Sequence, residues 1–67
     1  MALTLKAARI NKGLTQREAA EALGISDASL RSYEKGKTFP KISIIQKMEE
    51  LYGVTYSELI FLPNSTI

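Results

Sequence analysis

The chain has 67 residues, a net charge of +2, no cysteine and no histidine, and 45% of its residues are hydrophobic. This length predicts one small domain, and the missing residue types exclude disulfides, thiolate metal sites and histidine-based catalysis. No signal peptide or membrane-spanning apolar run is visible, so the sequence favours a cytoplasmic protein without metal or cofactor.

Basic and acidic side chains are unevenly placed along the chain. Residues 1–41 carry eight basic and four acidic side chains, whereas residues 42–67 carry one basic and three acidic ones. A basic first part favours a polyanionic partner. The counts alone fit a solvated surface with ordinary charge scatter equally well.

The first two helices are marked by their end residues. The pattern predicts a helix from Leu3 to Lys12. Gly13 follows it, and glycine readily adopts the left-handed conformation with which many helices end. Thr15 and Glu18 form a capping box that begins a second helix, and Gly24 is the turn residue after it.

Three further helices are expected after this turn. Ser26 caps the third, which ends at Gly36 and leads into a loop over residues 37–41. A fourth helix is predicted from about residue 42 to Tyr52 by its apolar spacing. A second capping box, Thr55 with Glu58, predicts a fifth helix to about residue 61.

Each segment is too short to be stable alone, so the apolar faces must share one core. The sequence therefore predicts an all-α fold, a compact five-helix bundle over residues 1–62 with a tail over residues 63–67. The predicted core consists of Leu5, Ala8, Ala20, Leu23, Leu30, Tyr33, Ile45, Met48, Leu51 and Leu59.

The run from Thr15 to Gly36 is typical of a helix-turn-helix, two short helices joined by a tight turn, which reads double-stranded DNA. From Leu5 to Leu59, 55 of 67 residues, the chain resembles the Cro/CI-type, or xenobiotic-response-element, domains of phage repressors and bacterial regulators. The resemblance rests on Leu5, Arg9, Gly13-Leu14-Thr15-Gln16, Ala20, Leu23-Gly24-Ile25-Ser26, Glu34-Lys35-Gly36-Lys37, Pro40, Leu51, Gly53-Val54 and Leu59. It implies a lambda-repressor-like fold of five helices whose third helix enters the major groove.

Helical spacing puts a stripe of side chains on the outer face of the third helix, and from it we expect base contacts by Asp27, Ala28, Arg31 and Ser32. Arg31 is the main candidate, since its guanidinium group can donate hydrogen bonds to guanine O6 and N7 at once. It could instead bind a phosphate or remain solvated. Ala28 could touch a thymine methyl group. Asp27 could accept from cytosine N4, but it can equally stabilise the helix start and disfavour wrong sites.

Phosphate contacts would position the protein without specifying a sequence. We expect them from Gln16, Arg17, Ser26, Lys35, Lys37, Thr38 and Lys41. The resemblance supports this for Gln16, where a glutamine commonly grips the DNA backbone; plain solvation of the helix start is the alternative. Glu34 faces inward and needs a partner, and in similar domains Arg9 pairs with it to tie the first helix to the third.

These features favour a sequence-specific regulator of transcription, a repressor binding a palindromic operator as a homodimer. Ile60, Phe61 and Leu62 are the candidate dimer interface, although they could instead cover the domain's own lower layer. The alternative is a protein-interaction module that pairs with another regulator or a toxin through this apolar end. An enzyme is disfavoured because the chain lacks catalytic clusters, and we expect no small-molecule ligand.

Overall fold

The computed structural model describes residues 3–61, which form four α-helices, one turn of 3-10 helix over Tyr56–Glu58, and two very short strands. The helices are α1 (Leu5–Asn11), α2 (Gln16–Leu23), α3 (Asp27–Lys35) and α4 (Ile42–Tyr52). The strands β1 (Leu3–Thr4) and β2 (Leu59–Ile60) pair in parallel, Leu3 with Leu59 and Thr4 with Ile60. No helix within residues 3–61 has the length and apolar character needed to cross a membrane.

Hydroxyl side chains fix where the first three helices begin. Thr4 accepts a hydrogen bond from the Ala7 backbone N–H at 3.1 Å, so α1 begins at Leu5 rather than at Leu3 as predicted. The box of Thr15 and Glu18 at the start of α2 forms both of its hydrogen bonds, at 2.9 and 3.1 Å. These caps satisfy backbone donors that a helix start leaves open.

The prediction of five helices is wrong, although the mostly helical architecture is confirmed. The second capping box forms, but the chain after it makes only the 3-10 turn and then extends into β2. A helix begun there could gain few residues before Pro63, and such a short segment is not stable alone. Pairing with β1 satisfies the extended backbone instead. Residues 62–67, which include the predicted domain end and tail, lie outside the described residues.

One apolar core joins the four helices. The predicted core residues are buried except Tyr33 and Leu51, which are half-buried and pack against it. Ala19 and Tyr52 belong to the core as well, although the predicted core omitted them. The small Ala19 side chain has no exposed surface, because α2 packs closely against its neighbours there.

Gly24 makes the turn between α2 and α3. Its φ of 75° lies in the left-handed region, and its N–H bonds back to the Ala20 and Glu21 carbonyls. A Cβ here would meet nothing closer than the end of Lys47 at 3.7 Å, so backbone conformation rather than space selects glycine. The turn sets the direction in which α3 leaves α2.

A buried ion pair ties the first part of the chain to α3. Arg9 Nε donates to Glu34 Oε2 at 2.8 Å and Arg9 Nη2 donates to Glu34 Oε1 at 3.3 Å. A third donor of Arg9, Nη1, bonds to the Leu14 carbonyl at 2.9 Å. The two residues that the resemblance pairs thus connect α1, the loop before α2, and α3.

Tyr52 is 3% exposed and lies close enough to this pair to interact electrostatically with both charges. Burial, reinforced by the negative charge of Glu34 and opposed by Arg9, raises the pKa of Tyr52 to about 12. Its hydroxyl has no hydrogen-bond partner within residues 3–61. The phenol is therefore held in its neutral form.

Replacing Glu34 by alanine is expected to lower the free energy of unfolding by about 3–5 kcal/mol, because Arg9 would stay buried without its counterion. Arg31→Ala removes an exposed side chain and should change this free energy by about 0.5 kcal/mol or less. Urea and thermal unfolding followed by circular dichroism measure both changes. Equal melting temperatures for the two variants would contradict the structural role of Glu34.

The stability of the chain should fall as the pH rises from 10 to about 12, because the unfolded chain loses the Tyr52 proton at a lower pH than the folded chain. Tyr52→Phe should reduce this loss, because phenylalanine has no phenolic proton to lose. Tyr56→Phe, at an exposed tyrosine, is the matched control and should leave the alkaline loss unchanged. An alkaline unfolding profile of Tyr52→Phe identical to that of the unmodified chain would refute the assignment.

Candidate nucleic-acid interface

The outer face of α3 is open to solvent along its whole length. Leu30 and Glu34 are buried on the inner face, which fixes the rotation of the helix about its axis. The outer face then carries the exposed Asp27, Ala28, Arg31 and Lys35, with Ser32 half-buried at its edge. The structure thus brings the four predicted base-contacting residues onto one helical surface.

Arg31 stands at the centre of this face. Its side chain makes no hydrogen bond or ion pair within residues 3–61, not even with the Asp27 carboxylate one turn earlier. Its five N–H donors are therefore available to an outside acceptor. A planar guanidinium of this kind can give two parallel hydrogen bonds to one base or one phosphate.

The start of α3 is held by serine side chains. Ser26 Oγ accepts from the Ser29 backbone N–H at 3.1 Å and also bonds to Ser29 Oγ at 3.1 Å. Ser26, predicted to contact phosphate, is therefore engaged as the helix cap while remaining exposed. Asp27 occupies the first helical position, where a negative charge is favoured by the helix dipole.

The loop after α3 lies beside this outer face. Lys37, Thr38 and Lys41 are exposed there, while Pro40 is buried and anchors the loop. Between loop and helix runs an open cleft with both polar and apolar walls. Its lining residues are Ala28, Ser29, Ser32, Tyr33, Thr38, Phe39 and Lys41.

Ser29 and Phe39 line this cleft, although sequence reasoning did not select them for the site. Ser29 lies three residues before Ser32, so helical spacing could have placed the two together. No sequence signal indicated Phe39, since an aromatic residue in a loop more often covers a core. It is 60% exposed.

The start of α2 supplies the other predicted phosphate contacts. Arg17 is exposed, whereas Gln16 is half-buried and its side-chain amide donates to Glu34 Oε1 at 3.1 Å. The sequence did not indicate this partner. Glu34 therefore receives donors from both Arg9 and Gln16, and the start of α2 is fixed to α3 by a side-chain contact.

The exposed charges of this region are mostly positive. Asp27 is the acidic member on the α3 face, set among several cations. The cations are Arg17, Arg31, Lys35, Lys37 and Lys41. Across residues 3–61, no cluster of acidic side chains is arranged to hold a metal ion. The excess of positive charge suits this surface to a polyanion.

A second surface, the apolar patch, consists of Phe39, Ile42, Tyr56 and Phe61. The rings of Phe39 and Phe61 lie 4.8 Å apart, and those of Tyr56 and Phe61 lie 5.6 Å apart. Ile42 is 71% exposed. Phe39 lines both the cleft beside α3 and the apolar groove under the patch, so the two surfaces adjoin.

The predicted dimer residues differ in exposure. Ile60 is exposed and Phe61 is half-buried against the other rings, whereas Leu62 lies outside the described residues. Phe61 thus covers part of its own domain and also forms part of the apolar patch.

The chain matches known proteins over most of its length. The sequence model of a helix-turn-helix family matches residues 5–59. The cryptic phage CTXphi transcriptional repressor RstR of Vibrio cholerae is 35% identical over 52 residues, which are 78% of this chain and 47% of that protein. The HTH-type transcriptional regulator PuuR of Escherichia coli is 38% identical over 56 residues, 84% of this chain and 30% of PuuR. The HTH-type transcriptional regulator ImmR of Bacillus subtilis is 39% identical over 56 residues, which are 84% of this chain and 44% of ImmR.

The chain spans less than half the length of these three relatives. The family match covers the part of this chain that contains both the α3 face and the loop after it. No solved structure matches the chain significantly.

Proposed function

We propose a function from one premise, namely that the chain belongs to the helix-turn-helix family of the Cro/CI type. The function that we propose is regulation of transcription by sequence-specific binding of double-stranded DNA, with α3 inserted into the major groove. The observation that carries this proposal is the outer face of α3, where the Arg31 side chain has no partner among the described residues and a loop of exposed lysines lies beside it. An α-helix with such a face fits the width of the major groove.

Base readout is assigned to the α3 face. Arg31 gives two hydrogen bonds to guanine O6 and N7, the contact that discriminates most strongly. Ala28 contacts a thymine methyl group, and Ser32 bonds to a base edge without strong preference. Asp27 either accepts from cytosine N4 or excludes sequences that would place a phosphate near it.

The phosphate contacts surround this face. Lys35, Lys37, Thr38 and Lys41 hold one strand of the DNA, and Arg17, Ser26 and Gln16 hold the backbone near the start of α2. All of these except the half-buried Gln16 are exposed, which supports the assignment. Contacts of this type supply most of the salt-dependent affinity.

Repression through a palindromic operator is the mode of action that we propose. RstR is by its name a transcriptional repressor. A single small domain contacts few bases, so a symmetric dimer on half-sites about 34–36 Å apart would supply the remaining affinity. The dimer interface that we propose is the apolar patch together with Ile60 and Leu62.

A protein-interaction module is the second candidate function. The apolar patch supports it, because exposed rings beside Ile42 offer a surface for another protein. In that case the chain would associate with a partner independently of salt and would leave no footprint on DNA. The α3 face has no role in this alternative, which is why we prefer the first.

Arg31→Ala is expected to weaken binding to the operator by about 1–3 kcal/mol and to relax the preference at one base position. Lys37→Ala should weaken binding to all sequences alike and lower the salt slope by about one unit, since a phosphate contact carries no sequence information. Sequences selected from a random DNA pool provide the operator, and fluorescence anisotropy at several salt concentrations measures both effects.

Lys6→Ala is the matched control, because Lys6 is an exposed lysine of α1 outside the proposed contacts. It should change affinity only slightly. If the pool yields no enriched sequence, or if all three variants bind as the unmodified chain does, the proposed DNA readout is wrong.

Ile42→Ser is expected to shift the chain toward monomer and to weaken binding to the full palindrome more than to one half-site. The substitution removes apolar area from the proposed interface, and because the Ile42 side chain is exposed it leaves no cavity in the core. Ile10→Ser, at an isoleucine of α1 that is 55% exposed, is the control and should leave self-association unchanged. Analytical ultracentrifugation measures the monomer fraction. An unchanged monomer–dimer equilibrium for Ile42→Ser would remove the patch from the interface.

A further inference from the structure

Glu34 has more hydrogen-bonding partners than a simple ion pair requires. Its Oε2 accepts from Arg9 at 2.8 Å, while its Oε1 accepts from both Arg9, at 3.3 Å, and the side-chain amide of Gln16, at 3.1 Å. Gln16 lies 18 residues earlier, at the first position of α2. The carboxylate therefore holds a side chain of the predicted DNA surface in place.

The amide of Gln16 has a second N–H that makes no hydrogen bond within residues 3–61. The bond to Glu34 is its one side-chain hydrogen bond within residues 3–61, and the residue is half-buried rather than enclosed. A primary amide has two donors, and fixing one of them fixes the direction of the other. The side chain thus has one donor committed inward and one available to an outside acceptor.

We propose that Glu34 is a positioning residue for DNA binding, which holds the Gln16 amide so that its second N–H meets a DNA phosphate. This inference rests on the proposed function. A free glutamine side chain loses conformational entropy when it binds DNA. The hydrogen bond to Glu34 restricts the Gln16 side chain already in the free protein, so less entropy is lost on binding. The guanidinium of Arg9 offsets the charge of the carboxylate, so Glu34 orients the amide without repelling the phosphate strongly.

A double-mutant cycle with Gln16→Ala and Glu34→Asp tests the proposal. Aspartate keeps a negative charge for Arg9, but its side chain is one carbon–carbon bond, about 1.5 Å, shorter and draws away from Gln16. In the unmodified chain, Gln16→Ala should raise the Kd for the selected operator about tenfold, the loss of one hydrogen bond to a charged group. In the Glu34→Asp background the same change should raise the Kd less than about twofold.

Lys37→Ala serves as the control in both backgrounds, since the Lys37 side chain has no hydrogen bond or ion pair with this network in the described part of the chain. It should raise the Kd by the same factor in each, which shows that the binding mode is intact. An equal effect of Gln16→Ala in both backgrounds, or no effect in either, would refute the positioning role of Glu34. Neither result would contradict the proposed DNA-binding function. Failure of the unmodified chain to select any DNA would overturn the proposed function as well.

A second measurement on the unmodified chain applies even if Glu34→Asp does not fold. Nuclear magnetic resonance resolves the two side-chain amide protons of Gln16 separately. We expect one proton to keep its chemical shift when operator DNA is added and the other to move strongly. Both protons moving together, or exchanging with each other rapidly in the free protein, would refute a held amide.

Discussion

The buried pair of Arg9 and Glu34 is the interaction on which the arrangement of this domain depends. Burying two charges is costly unless their geometry and remaining hydrogen bonds are good. Here the carboxylate accepts from Arg9 with both oxygens, and a third donor of Arg9, Nη1, bonds to the Leu14 carbonyl. Such a network has few alternative geometries, so it fixes α3 against α1 and against the start of α2.

This fixed frame leaves the outer face of α3 free to vary. The buried residues Leu30 and Glu34 set the rotation of the helix, and Gly24 sets its direction, while Arg31 and its exposed neighbours contribute little to stability. The buried residues of this nine-residue helix and the side chains that we propose for recognition thus lie on its opposite faces.

Local signals predicted much of this structure from the sequence. The box of Thr15 and Glu18 and the cap at Ser26 place α2 and α3 within a residue of their observed starts, because these hydrogen bonds are made within one turn. The pairing of Arg9 with Glu34 came from the family resemblance rather than from local pattern, and the structure contains that bond.

Non-local contacts could not be predicted in this way. The box at Thr55 and Glu58 has the same local pattern as the one at α2, yet only a 3-10 turn follows, since pairing of Leu59 with Leu3 joins residues from opposite ends of the chain. The bond from Gln16 to Glu34 and the burial of Tyr52 likewise depend on how helices meet. The candidate site was predicted as a helix face, but not the cleft that Phe39 and the loop form beside it.

We propose that a pair of α3 helices reads the major groove of DNA. Methylation protection tests this directly, because dimethyl sulfate modifies guanine N7 in the major groove and adenine N3 in the minor groove. We predict protected guanines in two clusters about one helical turn apart, with adenine N3 fully reactive between them. Protection of adenine N3 alone, or no protected guanine at a concentration that saturates the DNA, would contradict the account.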